Sequence, residues 1–188
     1  MAVQKSLQVQ LLALFHQCGG NVGDTCDLPI PSCVHQQDGV WFKDREGHQN
    51  RECIFFFADD VMCEDCRTPV VMYGDWMQAI SATYGAYLGR AVSAIQDGLG
   101  ASEELQYPAY PLKHWNYPGM GEFQVCDDRA RAGRRLADQA RGLPAVPSDV
   151  GGNSSAPSQS DFYMGGYVGD YGKFFLDWHF GALKSHGS

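Results

Sequence analysis

Residues 15–24 read FHQCGGNVGD, and a mostly apolar run at 7–15 leads directly into them. Glutamines 8 and 10 interrupt this run, which stops abruptly at His16 and Gly19. The pattern predicts a buried strand followed by a loop. A loop with a histidine, a cysteine, three glycines and an aspartate in ten positions allows four functions: a phosphate cradle, a metal site, a cysteine nucleophile or a lid over a substrate.

Phosphate binding fits the spacing poorly. A P-loop needs a lysine and a hydroxyl residue after its last glycine, and GGNVGD has neither. A dinucleotide-binding loop needs a helix directly after it, whereas Cys26, Pro29 and Pro31 follow here.

A metal site or a thiol catalyst is also disfavoured. His16 and Cys18 lie too close together to hold a metal without distant ligands, and Cys63 and Cys66 form a single CxxC with no second pair at zinc-finger spacing. A cysteine hydrolase normally brings its histidine from elsewhere in the fold rather than from two residues away. The pattern therefore favours a lid, with His16 at a strand end, Asn21 and Asp24 as hydroxyl-binding groups, and glycines as hinges.

Residues 68–95 predict a helix followed by a second strand. Thr68 and Pro69 are typical of an N-cap and a first helical residue. Apolar residues then recur every three or four positions, which predicts one apolar face, at Val70, Tyr73, Met77, Ile80, Tyr84 and Leu88. Residues 91–95 predict the second strand. With the strand at 7–15, they indicate a parallel βαβ unit.

The rest of the chain predicts helices at 128–141 and over GKFFLDWHFGALKSHG, with a flexible connector at 146–160. The long excursion at 16–67 shows no helical period, and CIFFFAD (53–59) is predicted as a short strand. Two parallel strands are not stable alone, because parallel sheets are covered on both faces. Residues 1–188 are therefore expected to form one partial α/β domain.

Glu103 and Glu104, just past the second predicted strand, are candidate reactive carboxylates. Burial among Leu105, Tyr107 and Tyr110 would raise the pKa of such a glutamate and suit it to act as a general acid. On the residues alone, solvated loop charges are the favoured alternative.

Composition excludes several partners and predicts a compartment. The net charge is −8, and the one basic cluster, at 129–141, is typical of a solvated helix face, so we expect no nucleic acid and no membrane as partners. No apolar run approaches the roughly 20 residues of a membrane span. Seven cysteines, an odd number, and no predicted signal peptide indicate reduced thiols inside the cell.

FHQCGGNVGD resembles the first signature of the β-amylase family, and GASEELQYPAY (100–110) resembles the second, whose usual form is G-P-[AS]-G-E-L-R-Y-P-S-Y. Three further segments also resemble that family in order along the chain: RTPVVMYGDWM, YPGMGEFQVCD and YGKFFLDWHFGALKSHG. The resemblance runs from about residue 7 to the C-terminus.

The resemblance implies a (β/α)8 TIM barrel, here its strands 3 and 4, that releases maltose from the non-reducing ends of α-1,4-glucans such as starch with inversion. Glu104 matches the proton donor, His16 and Asp24 match substrate-binding positions, and Cys18 matches a bystander beside the lid. No metal and no organic cofactor are implied. We expect a monomer, in the plastid or the cytoplasm.

Glu103 and Gln106 are among the departures from the family pattern. Glu103 stands where the family has glycine, and Gln106 stands where it has arginine. The resemblance also implies that the catalytic base and a substrate-binding lysine lie after the matched segment, so residues 1–188 are expected to hydrolyse starch poorly or not at all. The alternative is a non-catalytic glucan-binding or regulatory protein of the β-amylase type.

Overall fold

The computed structural model describes residues 7–18, 25, 27–44, 47–63, 67–101, 104–108, 123–142, 162 and 164–188. Within these residues lie two two-stranded sheets and four α-helices. The predicted connector at 146–160 lies outside the described residues.

The first sheet is the predicted parallel pair. Strand β1 (Val9–Leu14) lies beside β4 (Val92–Gly98), with Leu14 opposite Gly98 at the carboxyl edge. The expectation of a buried strand is wrong for β1: Ala13 is buried, but Leu12 is 43% exposed. Among the described elements β1 pairs with β4 alone, and its residues other than Ala13 are exposed or only partly buried.

Helix α2 (Pro69–Tyr84) connects the two halves of this unit. The Thr68 hydroxyl accepts a hydrogen bond from the Val71 backbone N–H at 3.3 Å, as the sequence predicts for an N-cap. The predicted apolar face is only partly buried, since Val70 is 52% exposed and Tyr84 42% exposed. The helix ends before Leu88, which follows a short 3-10 turn.

The second sheet is an antiparallel hairpin that the sequence pattern does not predict. Strand β2 (Trp41–Lys43) pairs with β3 (Gln49–Ile54), and a short helix α1 (Ser32–His35) precedes them. The buried Asp44 carboxylate closes the hairpin by accepting from the His48 backbone N–H at 2.8 Å. Three residues in β2 are too few to show an alternating pattern.

The predicted strand at 53–59 is therefore wrong in its bounds. Strand β3 ends at Ile54, and Phe56–Ala58 form a 3-10 turn. An apolar run as short as CIFFFAD does not distinguish a strand from a buried turn.

Two helices complete the described part of the chain. Helix α3 (Asp128–Arg141) has the predicted bounds and begins at Asp127, whose carboxylate accepts from two backbone N–H groups of its first turn. It ends at Gly142, which adopts a left-handed conformation with φ of 66°. Helix α4 (Asp170–His186) begins two residues before the predicted start and ends next to Gly187, as expected.

An aromatic core joins the hairpin to α4. The Phe42 ring packs edge-on against Phe55 and Phe56, with centroids 4.9 Å and 5.1 Å apart. From α4, Phe175 packs against Phe123 and is fully buried. Burying each such ring stabilises the fold by about 1.5–3 kcal/mol. This core therefore fixes α4 beside the segments that follow β1 and β4.

Candidate active site

Two predicted site segments follow neighbouring parallel strands at the same sheet edge. His16 comes two residues after β1, and the segment with Glu104 follows β4. The Phe15 backbone N–H donates to the Gly98 carbonyl at 3.2 Å, and this hydrogen bond joins the chain just after β1 to the last residue of β4. In open and closed α/β sheets alike, ligands bind at the carboxyl ends of the strands.

His16 is held by backbone pairing to the hairpin. It forms an antiparallel bridge with Cys53, and the neighbouring Gln17 N–H donates to the Glu52 carbonyl at 2.7 Å. The imidazole is half-buried, and its Nδ1 atom has no hydrogen-bond partner. A buried polar atom is costly when no partner satisfies it, and the described residues supply none for this ring nitrogen.

The remainder of the lid is only partly described. Cys18 and Leu28 exchange two backbone hydrogen bonds of 3.0 Å and 3.1 Å, which closes a loop between them. Asp24 lies outside the described residues, so its predicted role stays a prediction.

The cysteines differ from the expectation of reduced thiols. Cys18 is disulfide-bonded, whereas Cys33 and Cys53 carry free thiols. The sequence argument rested on the odd number of cysteines, which shows that one thiol stays unpaired but does not exclude a bridge between two others. The backbone hydrogen bonds between Cys18 and Leu28 close a loop. Loop closure brings residues that are apart in sequence close enough in space for a disulfide to form.

Glu104 lies in a turn that folds back onto the end of β4. Its backbone N–H donates to the Ala101 carbonyl at 3.2 Å, and the Gln106 side-chain amide donates to the same carbonyl at 3.2 Å. A Cβ atom at Gly100 would lie 2.5 Å from the Gln106 carbonyl oxygen and 2.7 Å from that of Glu104. The turn therefore requires glycine at position 100.

Glu104 is a solvated loop charge, the alternative that the residues alone favour, and is not buried. Its side chain is exposed, as is that of Leu105 at 41%. The turn directs the aromatic ring of Tyr107 towards the core and leaves the carboxylate on the outside. Glu103 and Tyr110, the other members of this predicted cluster, lie outside the described residues.

Helix α4 anchors the chain just after Glu104. The Tyr107 hydroxyl donates to the His179 carbonyl at 2.7 Å, and the two rings stack with centroids 3.8 Å apart. Burial raises the pKa of Tyr107 above its usual range, so the hydroxyl keeps its proton and remains a donor. The Gln124 side chain donates to the Pro108 carbonyl at 2.8 Å.

Helix α4 also contacts the chain just before Glu104, through a histidine that the sequence pattern did not single out. His186 Nε2 lies 2.8 Å from the Leu99 carbonyl, and His186 Nδ1 lies 2.7 Å from Asp59 Oδ2. These partners are 87 and 127 residues away along the chain, so no local spacing could indicate them.

The described part of the chain contains neither a metal-binding cluster nor a membrane-spanning helix. No three histidine, cysteine, aspartate or glutamate side chains there lie close enough to hold a metal ion. Cys66 of the CxxC pair lies outside the described residues. No described helix is both long and apolar enough to cross a bilayer.

Known proteins of one family are similar to this chain in sequence. The model of glycosyl hydrolase family 14 matches residues 1–188. "Beta-amylase 2, chloroplastic" of Oryza sativa subsp. japonica is 38% identical over 199 residues, which cover 100% of this chain and 36% of the relative. The beta-amylase of Glycine max is 34% identical over 191 residues, covering 96% of this chain and 38% of the relative.

A solved structure is similar in fold. The catalytic domain of beta-amylase from Paenibacillus polymyxa superposes with a TM-score of 0.73 at 28% identity, covering 97% of this chain and 45% of that chain. The described strands do not close into a barrel, and the numbering of β1 and β4 as barrel strands 3 and 4 stays a prediction. The chain spans less than half the length of these relatives. It belongs to glycosyl hydrolase family 14.

Proposed function

We propose that this chain carries the proton-donating half of a β-amylase-type active site, for the hydrolysis of α-1,4-glucosidic bonds from the non-reducing ends of starch. One observation carries the proposal: the FHQCGGNVGD segment and the Glu104 segment leave adjacent parallel strands at one sheet edge, joined by the hydrogen bond from Phe15 to Gly98. Strand ends of this kind position catalytic groups in α/β enzymes.

Glu104 is assigned the role of general acid. An inverting glycosidase protonates the leaving oxygen with one carboxylic acid, and a second carboxylate, about 6.5–9.5 Å away, activates the attacking water. The side chain of Glu104 is exposed at the strand edge and is thus accessible to a glycosidic oxygen. Maltose with inverted configuration is the product that the β-amylase resemblance implies.

His16 and Asp24 are assigned to hold the glucan. The half-buried imidazole of His16, two residues after the end of β1, supports this assignment. Asp24 is assigned by its place in the motif alone.

The chain as given is proposed to bind glucan without releasing maltose. General acid and base steps each contribute about 10²–10⁴-fold to the rate, and the β-amylase resemblance puts the base outside residues 1–188. No metal or organic cofactor takes part in the proposed reaction. The monomeric state stays a prediction, and the chloroplastic relatives support a plastid compartment.

Calorimetry with maltoheptaose and assay of maltose release together test the proposal. Wild-type protein should bind the sugar and release no maltose, and His16→Phe should weaken binding at least tenfold. Asp38→Asn, which changes an exposed carboxylate in the turn after α1, should leave binding unchanged. Absence of any maltoheptaose binding by correctly folded protein would contradict the proposed function, and maltose release lost in Glu104→Gln would contradict only the predicted inactivity.

A non-catalytic glucan-binding protein is the second candidate, and Gln106 favours it. The Gln106 amide is used within the turn, where it donates to the Ala101 carbonyl. An arginine at this position would supply a fixed cation and a bidentate donor, which glutamine cannot. Gln106→Arg should strengthen binding if an active site has lost its cation, whereas a dedicated binding protein should bind maltoheptaose equally well or less tightly after this change.

A further inference from the structure

The last two turns of α4 contact the segment 99–108 on both sides of Glu104. Before Glu104, His186 Nε2 lies 2.8 Å from the Leu99 carbonyl. After it, the Tyr107 hydroxyl donates to the His179 carbonyl at 2.7 Å. The segment is thus attached at its start and near its end to one rigid helix.

The hydrogen bonds of His186 define its protonation. Nε2 faces a carbonyl oxygen and Nδ1 faces the Asp59 carboxylate at 2.7 Å, so both partners are acceptors. A neutral imidazole has one N–H and one lone pair, and can satisfy only one of these partners. Both bonds form when the ring carries two protons and a positive charge, which the Asp59 carboxylate balances.

The surroundings of His186 favour this ion pair over alternatives. The side chain is 2% exposed and stacks on Phe56, with centroids 4.4 Å apart. From α2, Tyr73 faces the ring edge-on, with centroids 6.1 Å apart, and burial together with the Asp59 carboxylate raises the pKa of Tyr73 above its usual range. Tyr73 is therefore neutral, and Asp59 is the charged group that faces the ring among the described residues.

The Asp59 carboxylate depends on His186 in turn. Oδ2 receives the His186 hydrogen bond, whereas Oδ1 is buried and has no partner. Loss of the imidazolium would leave an uncompensated carboxylate next to the core, which is strongly unfavourable. The two groups therefore act as one unit.

We propose that His186, as an imidazolium paired with Asp59, is a positioning residue for the Glu104 carboxylate. It fixes the Leu99 carbonyl, where the chain leaves β4, and so sets the direction in which the following turn presents Glu104. This proposal rests on the proposed role of Glu104 as general acid. His186 itself takes no part in proton transfer to the sugar.

Hydrogen exchange with mass spectrometry tests the attachment in the full 188-residue chain. His186→Phe keeps a ring against Phe56 but removes both hydrogen bonds. Exchange should accelerate at least tenfold in 99–108 and remain unchanged in the hairpin strand β3. Equal acceleration in both regions, or no change in either, would overturn the proposal.

His179→Phe is the matched control on the same helix. It keeps the stacking on Tyr107 and the backbone carbonyl that accepts from the Tyr107 hydroxyl. Exchange of 99–108 should therefore stay at the wild-type rate in this variant. An equally large acceleration in His179→Phe would show a general sensitivity of α4 and would contradict a specific role for His186.

Two spectroscopic measurements separate positioning from a merely structural role. Nitrogen-15 NMR should show a proton on both ring nitrogens of His186, because both of its partners are acceptors; a single N–H would overturn the proposal. The Glu104 carboxyl carbon resonance should shift in His186→Phe and not in His179→Phe, and an unchanged resonance in both would contradict positioning.

Asp59→Asn tests the pairing. It should reproduce most of the His186→Phe effect on exchange, and the double variant should add little, because the two side chains form one unit. If the effects of the two substitutions on exchange were fully additive, the side chains would act independently, and their proposed coupling would be refuted. None of these measurements uses glucan. If they show that His186 does not hold segment 99–108, the proposed function still stands. If the protein binds no glucan, the contact between His186 and this segment can still be measured.

Discussion

The buried imidazole of His179 predicts a loss of stability in mild acid. The ring lies between Tyr107 and the aromatic core of α4, is 4% exposed, and its Nδ1 atom has no hydrogen-bond partner. Burial lowers the pKa of His179 from 6.5 to about 3, because the charged ring cannot be solvated there. Between these two values the unfolded chain binds a proton that the folded chain does not.

The size of the effect follows from this difference. Stability that is present above pH 6.5 is lost as the pH falls towards 3, at no more than about 1.4 kcal/mol per pH unit. At about pH 5 the free energy of unfolding should therefore be about 2 kcal/mol lower than at about pH 8 on account of His179 alone.

Urea unfolding, followed by tryptophan fluorescence at both pH values, measures this difference. Other groups titrate in the same range, so the comparison is with His179→Phe, which keeps an aromatic ring in the core and cannot take up a proton. The wild-type protein should lose about 2 kcal/mol more than the variant between about pH 8 and about pH 5. Equal losses in the two proteins would refute the reasoning, and would show that the folded chain admits the charged ring.

Three further predictions concern stability. Gly100→Ala places a methyl group 2.5 Å from the Gln106 carbonyl oxygen, so it should destabilise the turn by more than about 2 kcal/mol and increase proteolysis near Glu104. A variant that unfolds at the same urea concentration as the wild-type protein would contradict this prediction. Phe175→Ala should lower the free energy of unfolding by about 3–5 kcal/mol, because the ring is fully buried. Ile95→Ala changes a side chain that is 39% exposed and should lower it by less than about 1.5 kcal/mol. Equal losses of stability in thermal unfolding would refute the assigned core. Thr68→Ala removes the N-cap of α2 and should cost about 1 kcal/mol, which Thr68→Ser should largely restore in the same measurement.

Local features were the ones that the sequence predicted well. Thr68 caps α2 as expected, and α3 has the predicted bounds, because caps and helical periods depend on residues a few positions apart. The parallel pairing of β1 with β4 also followed, since a strand–helix–strand order permits few arrangements. Strand β4 (Val92–Gly98) extends beyond the predicted end at residue 95.

Long-range features could not be predicted in the same way. Strand β2 has three residues and is recognisable only by its pairing with β3. The exposure of Glu104 depends on how Tyr107 packs against α4, and the role of His186 depends on partners at Asp59 and Leu99. In each case the deciding contact joins residues that are apart in sequence and meet only when the chain has folded.

The parallel pairing of β1 with β4 also has a consequence for the order of folding. The Val9 carbonyl accepts from the Ser93 hydroxyl across 84 residues of chain, whereas β2 and β3 are joined by the few residues of one tight connection. A hairpin forms in about 1–10 μs, but pairing across so long a loop must first overcome its closure entropy. The edge that carries His16 and Glu104 is therefore assembled late, and a chain still leaving the ribosome displays its hairpin before its candidate site exists.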